Sequence, residues 1–157
     1  MSDRPAILFV CLGNICRSPL AEAALRAAAA RHGIGIEADS AGTGGWHVGE
    51  APDLRAQDIA LRHGIDISGY RARQLERADF DRFSHIVALD HDNLAVLKRL
   101  RPSGARAELS LLLDHVPGRS GQPVADPYYG ASEGFAATWA DVTAGAEGLL
   151  AKIAGLA

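Results

Sequence analysis

Apolar positions along the chain gather in short runs that alternate with longer stretches of helical spacing. Ala6-Ile7-Leu8-Phe9-Val10 holds no polar residue and predicts a strand buried on both faces, as in the middle of a parallel sheet. Leu20-Ala21-Glu22-Ala23-Ala24-Leu25-Arg26-Ala27 is alanine-rich and predicts a helix that fades at His32-Gly33. Ile34-Gly35-Ile36-Glu37-Ala38 is expected to be a second strand, and Ser40-Ala41-Gly42-Thr43-Gly44-Gly45 a loop at its carboxyl end. Ala51 to His63 sets Ile59, Ala60 and Leu61 among charges with Gly64 just beyond, which predicts a helix ended by glycine. The stretch 65–71 reads as irregular. Ser84 to Leu89 predicts a third strand, Asp90 caps a helix running through Leu94, Leu97 and Leu100 towards Pro102, and Glu108 to Leu113 predicts a fourth strand. Residues 114–129, rich in proline and glycine, form a long loop of the kind that goes with function in a compact domain. Phe135, Trp139, Val142, Ala146, Leu149 and Ile153 recur at helical spacing, so the chain closes on an amphipathic helix with Trp139 in the core. Strands alternating with helices imply one α/β domain over residues 1–157, a doubly wound sheet of four parallel strands with helices on both faces.

The stretch between the first strand and the first helix carries the candidate chemistry. It reads Val10-Cys11-Leu12-Gly13-Asn14-Ile15-Cys16-Arg17-Ser18-Pro19. Ser18 suits the N-cap of the helix and Pro19 its first position, where a missing N–H costs nothing. Gly13 and Asn14 tolerate left-handed backbone, so consecutive amides can turn inward as an anion cradle backed by the helix dipole. A thiol at that helix end, near a guanidinium, is expected to exist largely as thiolate, and Cys11 meets the description. Arg17 offers a planar fork able to grip two phosphate oxygens. One loop thus combines a nucleophile with an oxyanion clamp. Taken alone, a Cys-x5-Arg spacing also fits a structural cysteine beside a capping arginine; the strand, the turn residues and the Ser-Pro helix start favour catalysis.

Composition narrows the setting. A chain of 157 residues, 48% hydrophobic, can bury one sizeable core. A net charge of −3 gives no basic field for nucleic acid. No apolar run approaches bilayer length and the N-terminus lacks a signal-peptide core, so membrane insertion is not expected. Two cysteines in one loop, Cys11 and Cys16, could not staple distant parts of a fold, which points to a reducing, cytoplasmic setting. The six histidines show no metal-ligand spacing with these cysteines, so no metal and no cofactor are expected.

The segment from Val10 to Pro19 resembles the phosphate-binding loop of the low-molecular-weight protein tyrosine phosphatases. The likeness continues through Asp39-Ser40-Ala41-Gly42-Thr43, Ala72-Arg73-Gln74 and Asp126-Pro127-Tyr128-Tyr129-Gly130. The resemblance implies hydrolysis of phosphotyrosine in proteins through a phosphocysteine on Cys11. Arg17 would bind phosphate together with the loop residues Leu12, Gly13, Asn14, Ile15 and Cys16, and Ser18 would aid departure of the thiolate. Asp126 would serve as general acid and then as base, because a departing oxygen needs a proton; Asp-Pro also starts ordinary turns. Trp46 and Tyr128 with Tyr129 would wall the crevice and His47 sit at its rim, although an aromatic and a histidine after a glycine pair are equally read as packing and solvated surface. Ser40 is open to two readings, a turn serine or a hydrogen-bond partner of Asn14. Asp90 and Asn93 are explained by helix capping, and by the resemblance would pack behind the phosphate loop. The family commonly has histidine where this chain has Tyr70, whose hydroxyl could replace it in the network around Asn14. Cys16 is either filler or a partner that captures oxidised Cys11 as a disulfide. A monomer is expected, with phosphotyrosine proteins as substrates and a cognate tyrosine kinase as an allowed further partner.

Three other readings share the loop. Arsenate reductases use further cysteines that this chain lacks. Protein arginine phosphatases tend to carry threonine where this loop has Ile15. A phosphocysteine carrier or plain phosphate-binding module would have no use for an acid at Asp126.

Overall fold

The computed structural model describes residues 4–128, 130 and 133–155. Four strands, β1 (Ala6–Cys11), β2 (Glu37–Gly42), β3 (His85–Ala88) and β4 (Glu108–Leu111), form one parallel sheet in the order β2-β1-β3-β4. Between and after them run α1 (Arg17–His32), α2 (Leu54–Arg62), the short α3 (Asp79–Arg82), α4 (His91–Leu100) and α5 (Glu133–Ala154).

Every residue of β1 is buried, so the strand divides its side chains between two cores rather than between core and solvent. Ile7 and Phe9 join a cluster with Leu20 and Leu25 of α1, Ile59 of α2, and Phe135, Val142 and Leu149 of α5. Leu8 and Val10 face the opposite cluster, which holds Phe80, Phe83 and Leu97. Helices therefore cover both faces, as the alternating pattern predicts. Phe9 is fully buried between strand and helices, so Phe9→Ala is expected to remove about 3–5 kcal/mol of stability through lost burial and a residual cavity. Calorimetry checks this as a fall of roughly 10–15 °C in Tm.

Strand order places the switch point between β1 and β3. From β1 the chain passes to β2 on one side, whereas β3 leads to β4 on the other. At such a point the loops leaving adjacent strands diverge and open a crevice at their carboxyl ends. Cys11 ends β1 and Asp90 follows β3, so topology brings both to the carboxyl edge of the sheet at the switch point.

Several boundaries differ from the sequence expectation: α2 starts at Leu54 instead of Ala51, α3 lies where the sequence predicts no element, and three further differences concern β2, β4 and α1. Strand β2 spans Glu37–Gly42, not Ile34–Ala38, so Ser40, Ala41 and Gly42 lie in the strand and not in a loop. As an edge strand it tolerates polar Glu37 and Asp39, while Ile34 and Ile36 pack on the core before the sheet begins. Strand β4 ends at Leu111, and Leu112–His115 forms a 3-10 turn that still buries Leu112 and Leu113. Helix α1 begins at Arg17; its N-cap is Cys16, without a side-chain cap, and Ser18 stands inside the first turn. The Ser18 hydroxyl is engaged elsewhere, as described below.

Candidate active site

The loop from Cys11 to Arg17 turns sharply because Asn14 takes a left-handed conformation, φ 59°, unique among the described non-glycine residues. A non-glycine backbone is held there at a cost of about 1–2 kcal/mol, and the Asn14 side chain supplies the compensation. Its Oδ1 accepts from the Arg73 amide at 3.0 Å and its Nδ2 donates to Ser18 Oγ at 2.8 Å. The Asn14 amide in turn points at Cys11 Sγ, 3.3 Å away. Ser18 Oγ lies 3.0 Å from the same sulfur. Since that oxygen already accepts from Asn14, its own proton is left for Sγ. Two donors therefore converge on the buried sulfur, an arrangement suited to negative charge there.

The backbone beyond β2 braces the loop from below. Thr43 and Gly44 donate their amides to the carbonyls of Cys11 and Leu12, both at 2.9 Å. A Cβ at Gly42 would stand 2.8 Å from the Leu12 carbonyl oxygen, so only glycine allows this approach. Asn14→Ala is accordingly expected to lose about 2–3 kcal/mol of stability, combining left-handed strain with two lost hydrogen bonds. Its kcat/KM is expected to fall on the order of 10- to 100-fold as the amides leave register. Asn14→Gly would recover the backbone share of stability but not the rate, which separates the two causes in melting and kinetic measurements.

Arg17 is buried at the loop's end. Its Nη1 donates to Asp90 Oδ2 and to the Val124 carbonyl, each at 2.8 Å, while Nη2 stands 3.5 Å from Asp126 Oδ2. Asp90 caps α4 by accepting from the amide and the side chain of Asn93, and Thr43 Oγ1 reaches Asn93 Oδ1 at 3.4 Å. Asp90 thus caps the helix while accepting from Arg17.

Cys11, Gly13 and Arg17 form the floor of a crevice of about 340 Å³, with Trp46, His47 and Tyr128 among its walls and Asp126 on its border. Leu12, Ile15 and Cys16 also line it. Trp46 is 72% exposed, so it is wall and not core. The rings of His47 and Tyr128 lie 6.3 Å apart at 50°, and His47 Nδ1 pairs with Glu50 at 3.1 Å. Tyr129 lies outside the described residues. Among the described residues no group of three or more His, Cys, Asp or Glu could hold a metal ion, and no helix is long and apolar enough to cross a membrane.

The two cysteines of the loop have different environments. Burial pushes the Cys16 thiol well above its ordinary range, and the negative neighbours Asp53 and Asp126 push in the same direction. Cys16 is thereby kept a neutral thiol, while Cys11 receives the two donors. Both are free cysteines.

Ser40 and Tyr70 stand apart from the Asn14 network that the sequence offered them. Ser40 Oγ donates to Glu22 Oε1 at 2.8 Å, and Tyr70, half-buried, lies near the same Glu22 carboxyl and Arg26. Burial raises the Glu22 carboxyl above its usual range, against the pull of Ser40 and Arg26. Asn14 finds its partners in Arg73 and Ser18 instead, one through a backbone amide that no side-chain motif announces.

Sequence reasoning also passed over Arg55. It lies in the first turn of α2 beside the capping Asp53, and donates to the carbonyls of Tyr128 at 2.8 Å and Gly130 at 3.2 Å. One signal was available: a cation in the first turn opposes the helix dipole and calls for another reason to be there.

A family model for low molecular weight phosphotyrosine protein phosphatase matches residues 6–155. The low molecular weight protein-tyrosine-phosphatase YfkJ of Bacillus subtilis is 43% identical over 150 residues, covering 94% of this chain and 95% of that protein. The crystal structure of YfkJ matches this fold with a TM-score of 0.90, covering 98% of this chain and 97% of its own. The low molecular weight protein-tyrosine-phosphatase of Streptomyces coelicolor is 44% identical over 152 residues, covering 94% and 92%. A Drosophila arginine phosphatase, DARP, has the same fold with a TM-score of 0.88 at 30% identity, covering 94% of this chain and 96% of its own. With the loop geometry, the switch-point crevice and these likenesses in agreement, the chain belongs to the low molecular weight phosphotyrosine protein phosphatases, a family of metal-independent enzymes.

Proposed function

We propose that the protein hydrolyses phosphotyrosine in proteins in two steps through a phosphocysteine. The observation that carries this reading is the convergence on Cys11 Sγ of the Asn14 amide and the Ser18 hydroxyl, with Arg17 and Asp126 facing each other 3.5 Å apart at the border of the same crevice. In the first step Cys11 Sγ forms a bond to phosphorus as the bond to the phenolic oxygen breaks. Arg17 and the loop amides hold the equatorial oxygens, whose charge grows in the transition state. Asp126 Oδ1 accepts from the Tyr128 amide at 3.1 Å, which leaves Oδ2 to carry the proton passed to the departing oxygen. In the second step Asp126 takes a proton from water as its oxygen attacks phosphorus, and the Cys11–phosphorus bond breaks. The Ser18 proton stabilises the thiolate that leaves.

Trp46 and Tyr128 would sandwich the phenyl ring, and Ile15 beside the floor offers an apolar contact where an arginine phosphatase tends to present a hydroxyl. Peroxide would oxidise the Cys11 thiolate to a sulfenic acid, from which the Cys16 thiol would displace water to form a disulfide, and a site resting on two free cysteines belongs in a reducing cytoplasm. A panel of phosphopeptides carrying phosphotyrosine, phosphoserine and phosphoarginine, assayed with a chelator present, tests the substrate class. Release of phosphate from phosphotyrosine alone is expected. Preference for phosphoarginine would move the protein to the other branch of this fold.

A further inference from the structure

The loop that carries Asp126 is held on both sides of that residue. Before it, the Val124 amide donates to the Leu89 carbonyl at 2.8 Å and Arg17 grips the Val124 carbonyl. After it, Arg55 reaches across from α2. Its Nη2 donates to the Tyr128 carbonyl and its Nη1 to the Gly130 carbonyl. The same guanidinium is fixed from behind by Asp53, through Nε to Oδ1 and Nη2 to Oδ2, each at 3.0 Å. It also lies over the Phe135 ring at 4.7 Å and the Tyr128 ring at 5.8 Å.

Asp53 links this clamp to the phosphate loop. Its amide donates to the Ile15 carbonyl at 2.9 Å, so a continuous strut runs from Ile15 through Asp53 and Arg55 to the two carbonyls beyond Asp126. Stability of α2 does not explain the arginine, because its charge sits at the wrong end of the helix dipole. A planar fork that spans an aspartate on one side and two carbonyls on the other does explain it.

From this geometry we propose that Arg55 is a positioning residue for proton transfer: it sets the place of the Asp126 carboxyl relative to Cys11 by clamping the Tyr128 and Gly130 carbonyls to the phosphate loop. The inference rests on the assignment of Asp126 as the acid. Arg55 touches no reacting atom and acts only through the loop.

The test compares kcat/KM for phenyl phosphate, whose leaving oxygen is strongly basic, with that for a nitrophenyl phosphate, whose leaving oxygen is not. Arg55→Ala, Arg55→Lys, Asp126→Ala and the Arg55→Ala/Asp126→Ala double variant are measured beside wild type, with melting curves to verify folding. Arg55→Ala is expected to slow phenyl phosphate on the order of 10- to 100-fold more than the nitrophenyl ester, since a displacement of about 1 Å costs that much. Arg55→Lys keeps the charge but not the fork and should show most of the same selectivity loss. In the Asp126→Ala background, Arg55→Ala should add no further discrimination between the esters. Should Arg55→Ala fail to fold, Arg55→Gln, which keeps a donor and much of the volume, takes its place. Equal losses on both esters from the Arg55 variants, alongside a selective loss in Asp126→Ala, overturn the inference and leave the acid assignment standing. An unselective Asp126→Ala would overturn both.

Discussion

Cys11→Ser is expected to abolish turnover, lowering kcat by a factor on the order of 10⁵ or more, while inorganic phosphate still binds. A hydroxyl attacks phosphorus only when a base removes its proton. The neighbours of the Cys11 sulfur are the Asn14 amide and the Ser18 hydroxyl, donors both, and neither can act as that base. A thiolate needs no base at the moment of attack, and the same donors that favour it are useless to a neutral alcohol. The cradle does not depend on the sulfur: Arg17 is fixed by Asp90 and Val124, and the loop is fixed by Asn14, Thr43 and Gly44. Phosphate affinity measured by calorimetry should therefore stay close to the wild-type value. Steady-state activity above the level of wild-type contamination would put the nucleophile elsewhere.

Asp126→Ala is expected to slow phosphotyrosine and unactivated esters by about 10²–10⁴-fold, the range general acids supply. The loss should depend on the leaving group, because a nitrophenolate departs without a proton and a phenolate or alkoxide does not. The Asp126 carboxyl borders the crevice, with a side-chain exposure of 41%, and its Oδ2 is turned towards Arg17 above the floor. Rates for both ester classes in the two proteins check this. A uniform loss over leaving groups would mean that Asp126 merely shapes its turn.

How much of this is legible in the sequence follows from how each contact is made. The candidate loop is legible because the proposed chemistry needs neighbours in sequence: the proposed nucleophile, the left-handed turn residue and the arginine all fall between Cys11 and Arg17. The four strands and four of the five helices follow from periodicity, whereas the single-turn α3 (Asp79–Arg82) is too short to show one; β1 stands out because a strand with a core on each face admits no polar residue. Strand β2 is misplaced by the same logic. Ile34 and Ile36 look more strand-like than Glu37, Asp39 and Ser40, yet register with β1 makes the polar segment the edge strand. The Ser18 cap fails because the hydroxyl serves the sulfur, a contact invisible to a local rule. The partners of Asn14 and the clamp of Arg55 are beyond pattern reading altogether. One uses a backbone amide 59 residues away, and the other uses backbone carbonyls 73 and 75 residues away, so no side-chain type marks either end.

The proposed mechanism requires a phosphoryl group carried on Cys11. Asp126→Ala with a nitrophenyl phosphate isolates it, because the first step then needs no acid while the second still lacks its base, and the intermediate should accumulate. Quenching that reaction within the first turnovers and digesting the protein for mass spectrometry is the most direct measurement. One phosphoryl group is expected on the peptide containing Cys11, appearing together with a burst of nitrophenol of matching amount. Turnover with no phosphoryl group on that peptide, and no burst, would contradict the mechanism.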